Sequence, residues 1–137
     1  MTVYHGTTLR AARSLAASPC PVSVTRGGGE LGQGFYTGES IALAASWARG
    51  RFGARSSATL EITIDNSMYV KLNILTLSGL RVVSTWNQLQ TSGTTRSHRF
   101  GYDVVYGPLA TYPHAAQHKF ESAAAEHTLK SASWKIL

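Results

Sequence analysis

The residues able to do chemistry are few: histidines at 5, 98, 114, 118 and 127, tyrosines beside glycines, and one glycine-rich stretch. Any two of His98, His114, His118 and His127 could act as the acid and base of a metal-independent ribonuclease, with arginines holding the phosphate. His114 and His118 have a ligand-like spacing, but no Glu or Cys completes a zinc set beside them, and strand residues four apart lie about 13 Å apart. No metal site is expected. Residues 26–34, Arg-Gly-Gly-Gly-Glu-Leu-Gly-Gln-Gly, lack the spacing of a Walker loop or a Rossmann fingerprint and instead suit a close backbone approach to a ligand. Three further patterns stand out. They are Tyr4-His5-Gly6-Thr7; Glu30-Leu-Gly-Gln-Gly34-Phe-Tyr36-Thr37 with Ala45 and Trp47-Ala48 behind it; and Tyr102-Asp103-Val-Val-Tyr-Gly-Pro108-Leu-Ala followed by Gln117-His-Lys-Phe120. Taken singly, each reads as structure, because aromatics mostly serve cores and a histidine after a strand is mostly packed.

Short elements must position these residues. Thr2-Val-Tyr-His5 reads as a strand ended by Gly6, and Thr7 or Thr8 caps a helix that stops before Pro19. Phe35-Tyr-Thr37 is a short strand, and Glu39 or Ser40 opens an alanine-rich helix over 41–49 ended by Gly50 or Gly53. Residues 58–64 alternate as a half-buried strand turned by Asp65-Asn66, and Tyr69–Leu72 reads as a second strand. A helix over 78–90, strands over 103–107 and 114–120, and a helix over 122–129 complete the chain. Strands and helices mixed without βαβ alternation predict an α+β fold in a single domain, 1–137.

Composition narrows the function classes. At 137 residues with one cysteine, Cys20, the chain can bury a core and has no internal disulfide or Cys-based metal centre. No apolar run approaches a membrane span, and the N-terminus lacks a signal-peptide pattern, so export would need another carrier and no membrane partner is expected. Thirteen Lys and Arg against seven Asp and Glu leave +6, and nine of the thirteen are arginine. Residues 1–60 carry six arginines against Glu30 and Glu39, and residues 61–137 carry seven positive against five negative groups. Such a balance attracts polyanions: nucleic acid, phosphorylated ligands or an acidic protein.

Taken together, the three patterns resemble the ADP-ribosyltransferase fold of the diphtheria toxin and poly(ADP-ribose) polymerase clade, whose signature is His, Tyr and then Glu, Asp or Gln on three strands. The chain is most similar to the compact C-terminal toxin domains of bacterial polymorphic, Rhs-type toxins, over residues 4 to about 125. The resemblance implies split mixed β-sheets with short flanking helices, and NAD as substrate. His5 matches the histidine that bonds the adenine-side ribose, Gly6 the backbone partner of the nicotinamide amide, and Tyr36 the ring that stacks on nicotinamide. Trp47 stands where a second aromatic is usual. Thr7, Arg26 and Gly34 are counted with the NAD-binding residues, the first two as ribose and phosphate contacts. Gln117 takes the third catalytic position, where polymerases have glutamate. Glutamine can bond a ribose hydroxyl but cannot act as a base, so if the acceptor needs deprotonation Glu121 or Glu126 is expected to supply it from the same segment, or else the acceptor is already nucleophilic. Ala44 stands where polymerases carry a serine.

The resemblance therefore implies an enzyme that cleaves the nicotinamide–ribose bond and transfers ADP-ribose to a macromolecule. Charge leans the acceptor toward RNA or another nucleic acid over protein. It also implies a secreted effector working in the cytoplasm of a target cell, with a cognate immunity protein, acidic to complement the +6 surface. An NAD glycohydrolase, in which water replaces the acceptor, and the histidine ribonuclease are the alternatives. A non-catalytic nucleic-acid binder is disfavoured by the absence of exposed aromatics interleaved with lysine, since the chain has four lysines.

Overall fold

Side-chain caps start every helix of the computed structural model, which describes all 137 residues. Thr8, Ser40, Asp65, Ser78 and Ser122 each accept a first-turn backbone N–H, so five polar residues fix where five helices begin. In chain order the elements are β1 (Thr2–Thr8), α1 (Leu9–Leu15), β2 (Phe35–Gly38), α2 (Ile41–Phe52), β3 (Ser57–Thr63) and α3 (Asn66–Tyr69). They continue with β4 (Ile74–Thr76), α4 (Gly79–Ser92), β5 (Val104–Pro108), β6 (Ala116–Phe120), α5 (Ala123–Lys130) and β7 (Ser133–Ile136). No helix is long and apolar enough to cross a membrane.

The fold is mixed α+β, with seven strands in the order β4-β5-β6-β2-β1-β3-β7. Only β4 and β5 run parallel. The sheet has a weak seam. While β1 and β3 pair from Thr2↔Thr63 to Thr8↔Ser57, β1 and β2 share a single register pair, Tyr4↔Gly38. Two blocks, β4-β5-β6-β2 and β1-β3-β7, are thus joined by one ladder step.

Residues opposite one another across strands share a face. Val3, Phe35, Leu60, Ile62, Val104 and Phe120 line one face and form the main core with Ala12 of α1 and Ala125 and Leu129 of α5. The other face carries a smaller cluster, Leu31, Leu77, Val82 and Val105, against which Tyr36 and Phe100 pack. Helix α2 lies on this second face, so close to β1 that a Cβ on Gly6 would sit 2.2 Å from the Ala44 carbonyl oxygen.

Four expectations need correction, the first being that Gly6 does not end β1, which stays paired with β3 as far as Thr8↔Ser57. Tyr69–Leu72 is no strand: Asp65 Oδ1 accepts from Ser67 N at 2.8 Å and starts α3 instead, which delays the next strand to Ile74. The last strand before α5 begins at Ala116 and not at His114. Strand β7 was not foreseen; it pairs Leu60 with Ile136 and Ile62 with Trp134, and the Trp134 indole donates to Leu129 O at 2.9 Å.

Candidate active site

A cavity of about 730 Å³ opens along the seam between the two strand blocks. Register explains what it gathers: Gly38 stands opposite Tyr4 of β1 on one side and Gln117 of β6 on the other. With no side chain there, space remains between the neighbours of three strands. Seven of the nine residues singled out by sequence line this cavity: His5, Gly6, Arg26, Gly34, Tyr36, Trp47 and Gln117.

His5 closes the seam where backbone pairing fails. Its Nδ1 lies 2.7 Å from the Tyr36 carbonyl oxygen, so Nδ1 carries the proton and donates, and its ring rests on Phe35 with centroids 4.4 Å apart. Burial depresses its pKa, partly offset by that bond, which leaves the imidazole neutral with Nε2 as a free acceptor. Tyr36 is held from above by the glycine-rich loop. Its hydroxyl donates to Gly32 O and accepts from Leu31 N, and Gly29 lies against the ring so closely that a Cβ would be 2.9 Å from Cζ. Burial raises the phenol's pKa far above its ordinary value, so Tyr36 offers a ring and no proton. Trp47 is half exposed at the rim, with the Arg51 guanidinium 5.5 Å from its ring centroid.

Two of the assigned residues lie elsewhere. Thr7 pairs with Ala58 within the β1–β3 ladder and does not line the cavity. Glu121 is fully buried away from it; its carboxylate pairs with Lys119 and accepts from the N–H groups of Phe100, Gly101 and Tyr102. Four residues along a strand carry a side chain about 13 Å, so sharing a face with Gln117 does not bring Glu121 to it. Glu126 is no substitute, since it accepts from Val24 N and pairs with Lys130. The acid at the site is Glu30, which opens the second sequence pattern without a role assigned to it there. It is the single carboxylate lining the cavity, and its Oε1 accepts from Gln117 Nε2 at 3.0 Å. The available signal was its position as the only acid within the glycine-rich stretch.

None of His98, His114, His118 and His127 lines the cavity. His98 packs on Phe100, His114 on Tyr112 and His118 on Tyr106, each from a different segment, while His127 is exposed on α5. No group of three His, Cys, Asp or Glu side chains is placed to hold a metal ion. His118 is buried between Glu39, 3.2 Å from Nε2, and Tyr69, 3.2 Å from Nδ1. Burial lowers its pKa more than Glu39 raises it. His5 and His118 are therefore neutral in the folded state over a range where the unfolded chain protonates them. Their contribution to stability is complete above the ordinary histidine pKa near 6.5 and is lost as pH falls below it. The urea midpoint should accordingly fall between pH 7.5 and pH 5.5, and a His118→Gln variant should lose less over that interval than the parent.

The electrostatics are one-sided. The two ion pairs use Lys119 and Lys130, and Glu39 meets the uncharged His118, so no arginine has a carboxylate partner. Arg26 at the cavity is exposed, and Arg96 reaches the same loop by donating to the Arg26 carbonyl at 2.8 Å. Thr37, also in the wall, carries the one buried side-chain polar atom without a hydrogen-bond partner, its Oγ1. No protein-family model matches this chain, and no curated protein matches it in sequence.

Proposed function

We propose that the protein is an NAD-dependent ADP-ribosyltransferase of the His-Tyr-Gln type, its sheet being the split sheet of that fold and nucleic acid its acceptor. The observation that carries this reading is the meeting of His5, Tyr36 and Gln117, from three strands, on one cavity at the seam. A volume of about 730 Å³ falls within the usual range of small-molecule sites, roughly 300–1,000 Å³.

The chemistry asks little of acids or bases. Nicotinamide leaves as a neutral molecule when its bond to ribose C1′ breaks and the electron pair passes to the ring nitrogen. The acceptor oxygen then bonds C1′ and its proton passes to solvent water. The protein's work is to grip the pyridinium against the Tyr36 ring, present His5 Nε2 and Gln117 Oε1 to ribose hydroxyls, and exclude other nucleophiles. Glu121 has no part in this. Arginines without carboxylate partners favour a phosphate-rich acceptor, and they also suit an acidic immunity protein closing the cavity mouth if the domain acts as a delivered toxin.

The test is nicotinamide release from NAD labelled in its adenosine half, with the parent and Tyr36→Ala, in the presence of total RNA, of lysate protein, or of buffer alone. Release should fall by at least about tenfold in Tyr36→Ala, with label attached to RNA. Label on protein would replace the acceptor, release in buffer alone would make the enzyme a glycohydrolase, and absence of release with RNA fragmentation would overturn the reading in favour of a nuclease.

A further inference from the structure

An amide side chain offers a donor end and an acceptor end, and which end faces a ligand decides what it binds. Gln117 Nε2 donates to Glu30 Oε1 at 3.0 Å and to the Pro108 carbonyl oxygen at 3.2 Å, which occupies both of its N–H bonds. Both neighbours are pure acceptors. The opposite orientation would set the Gln117 oxygen against two other oxygens, so the assignment of the amide follows from its surroundings. Gln117 is buried and lines the cavity, and its Oε1 has no protein partner yet is not among the sealed polar atoms, so it is reached from the cavity.

Glu30 is itself immobilised. Its Oε1 also accepts from Ala110 N at 2.7 Å, and its Oε2 accepts from the Thr111 N–H at 3.3 Å and the Thr111 hydroxyl at 3.2 Å. The carboxylate is thus held by four donors, three from the β5–β6 connection and one from β6. It is well disposed to hold a neighbour still.

We propose that Glu30 is the positioning residue of this site: it locks Gln117 with its carbonyl oxygen toward the cavity, so that the site selects a ligand presenting a hydroxyl donor, as a ribose does. This rests on the transferase reading for the identity of the ligand, whereas the locked amide stands apart from it. In catalytic terms, Glu30 lets a glutamine do the part of the task that needs an acceptor and removes its ability to present a donor. It also ties the glycine-rich loop to Ala110 and Thr111, so the two sides of the cavity rim keep one spacing.

Two readouts separate the lock from the reaction. In ¹⁵N-labelled full-length protein, the Gln117 side-chain amide protons, assigned by their loss in Gln117→Leu, should exchange slowly with water and become fast-exchanging in Glu30→Leu. Fast exchange in the parent would overturn the proposal whether or not NAD is turned over. In nicotinamide release, Glu30→Leu should lower kcat by about 10- to 100-fold with KM within about twofold. The Glu30→Leu/Gln117→Leu double variant should be no slower than Gln117→Leu alone. Additive losses would show that Glu30 acts independently of Gln117 and would sink the idea. Glu30→Gln, which keeps one acceptor oxygen for Gln117, should retain more activity than Glu30→Leu and leave the pH profile unchanged in shape; loss of the acid limb in that variant would instead make Glu30 the base. Absence of release by the parent would remove the transferase reading and leave the exchange result to decide the lock.

Discussion

Glu121→Ala should lower the free energy of unfolding by about 3–5 kcal/mol, the usual cost of removing one member of a buried ion pair. Lys119, its partner, is wholly buried, donates to the Leu31 carbonyl at 2.7 Å, and lies 5.0 Å from the Phe100 ring centroid. Burial already lowers the Lys119 pKa, and Glu121 is what counters it. Without the carboxylate, a charged ammonium is left with a carbonyl and a ring, and the N–H groups of Phe100, Gly101 and Tyr102 lose their acceptor. A urea titration at pH 7 gives the magnitude. The sign of the pH dependence is a second check: a lysine whose folded pKa is depressed costs stability as pH falls and restores it as pH rises toward the unfolded value. The variant should therefore recover stability between pH 8 and pH 10 more steeply than the parent. Replacing both residues, Lys119→Met with Glu121→Leu, should cost less than Glu121→Ala alone, because no unpaired charge remains. Since Lys119 faces Tyr36 in register and anchors Leu31, the same variant should loosen the loop that holds the Tyr36 hydroxyl.

The second large effect is expected at Gly6. A single methyl there would meet the Ala44 carbonyl oxygen at 2.2 Å and the Ala48 Cβ at 3.0 Å. Neither is the end of a flexible side chain, so α2 must move away from β1 as a body. Overpacking of this kind costs about 1–3 kcal/mol, and the β-branched Gly6→Val should exceed Gly6→Ala. Because α2 carries Trp47 and forms one wall of the cavity, the transferase proposal further expects Gly6→Ala to weaken NAD binding in a protein that still folds. Thermal unfolding with and without NAD checks both halves: the variant's midpoint should be lower, and the rise produced by ligand smaller. An unchanged midpoint in Gly6→Ala would mean that the helix does not pack this tightly.

Much of the architecture is legible in the residues because local signals agreed with burial. Ser40 and Ser122 precede their helices and cap them, Gly53 ends α2 with φ of 84°, and the alternation of Ala58 to Ile64 becomes the strand it describes. Tyr69–Leu72 misleads because β-type composition competes there with an aspartate cap, and the cap prevails. Ser133–Ile136 is too short and too polar to announce β7; it is a strand because β3 offers it an edge. The site divides in the same way. His5, Tyr36, Gln117 and Glu30 all lie within recognisable patterns, but the part Glu30 plays comes from contacts with Ala110, Thr111 and Gln117 that no local pattern encodes. Glu121 invites the opposite error, being near in sequence and engaged elsewhere.

The seam also sets how the molecule opens. Local opening follows the path that breaks the fewest backbone hydrogen bonds, and one register pair joins β1 to β2 where seven join β1 to β3 and four join β2 to β6. The two blocks therefore form separate units of amide protection, and backbone amides bordering Tyr4 and Gly38 should exchange before those at the centre of either block. The line of easiest breathing is the line along which the cavity lies. Admission of a ligand and fluctuation of the fold are then one motion, and a molecule bound across the seam should slow exchange on both of its banks at once.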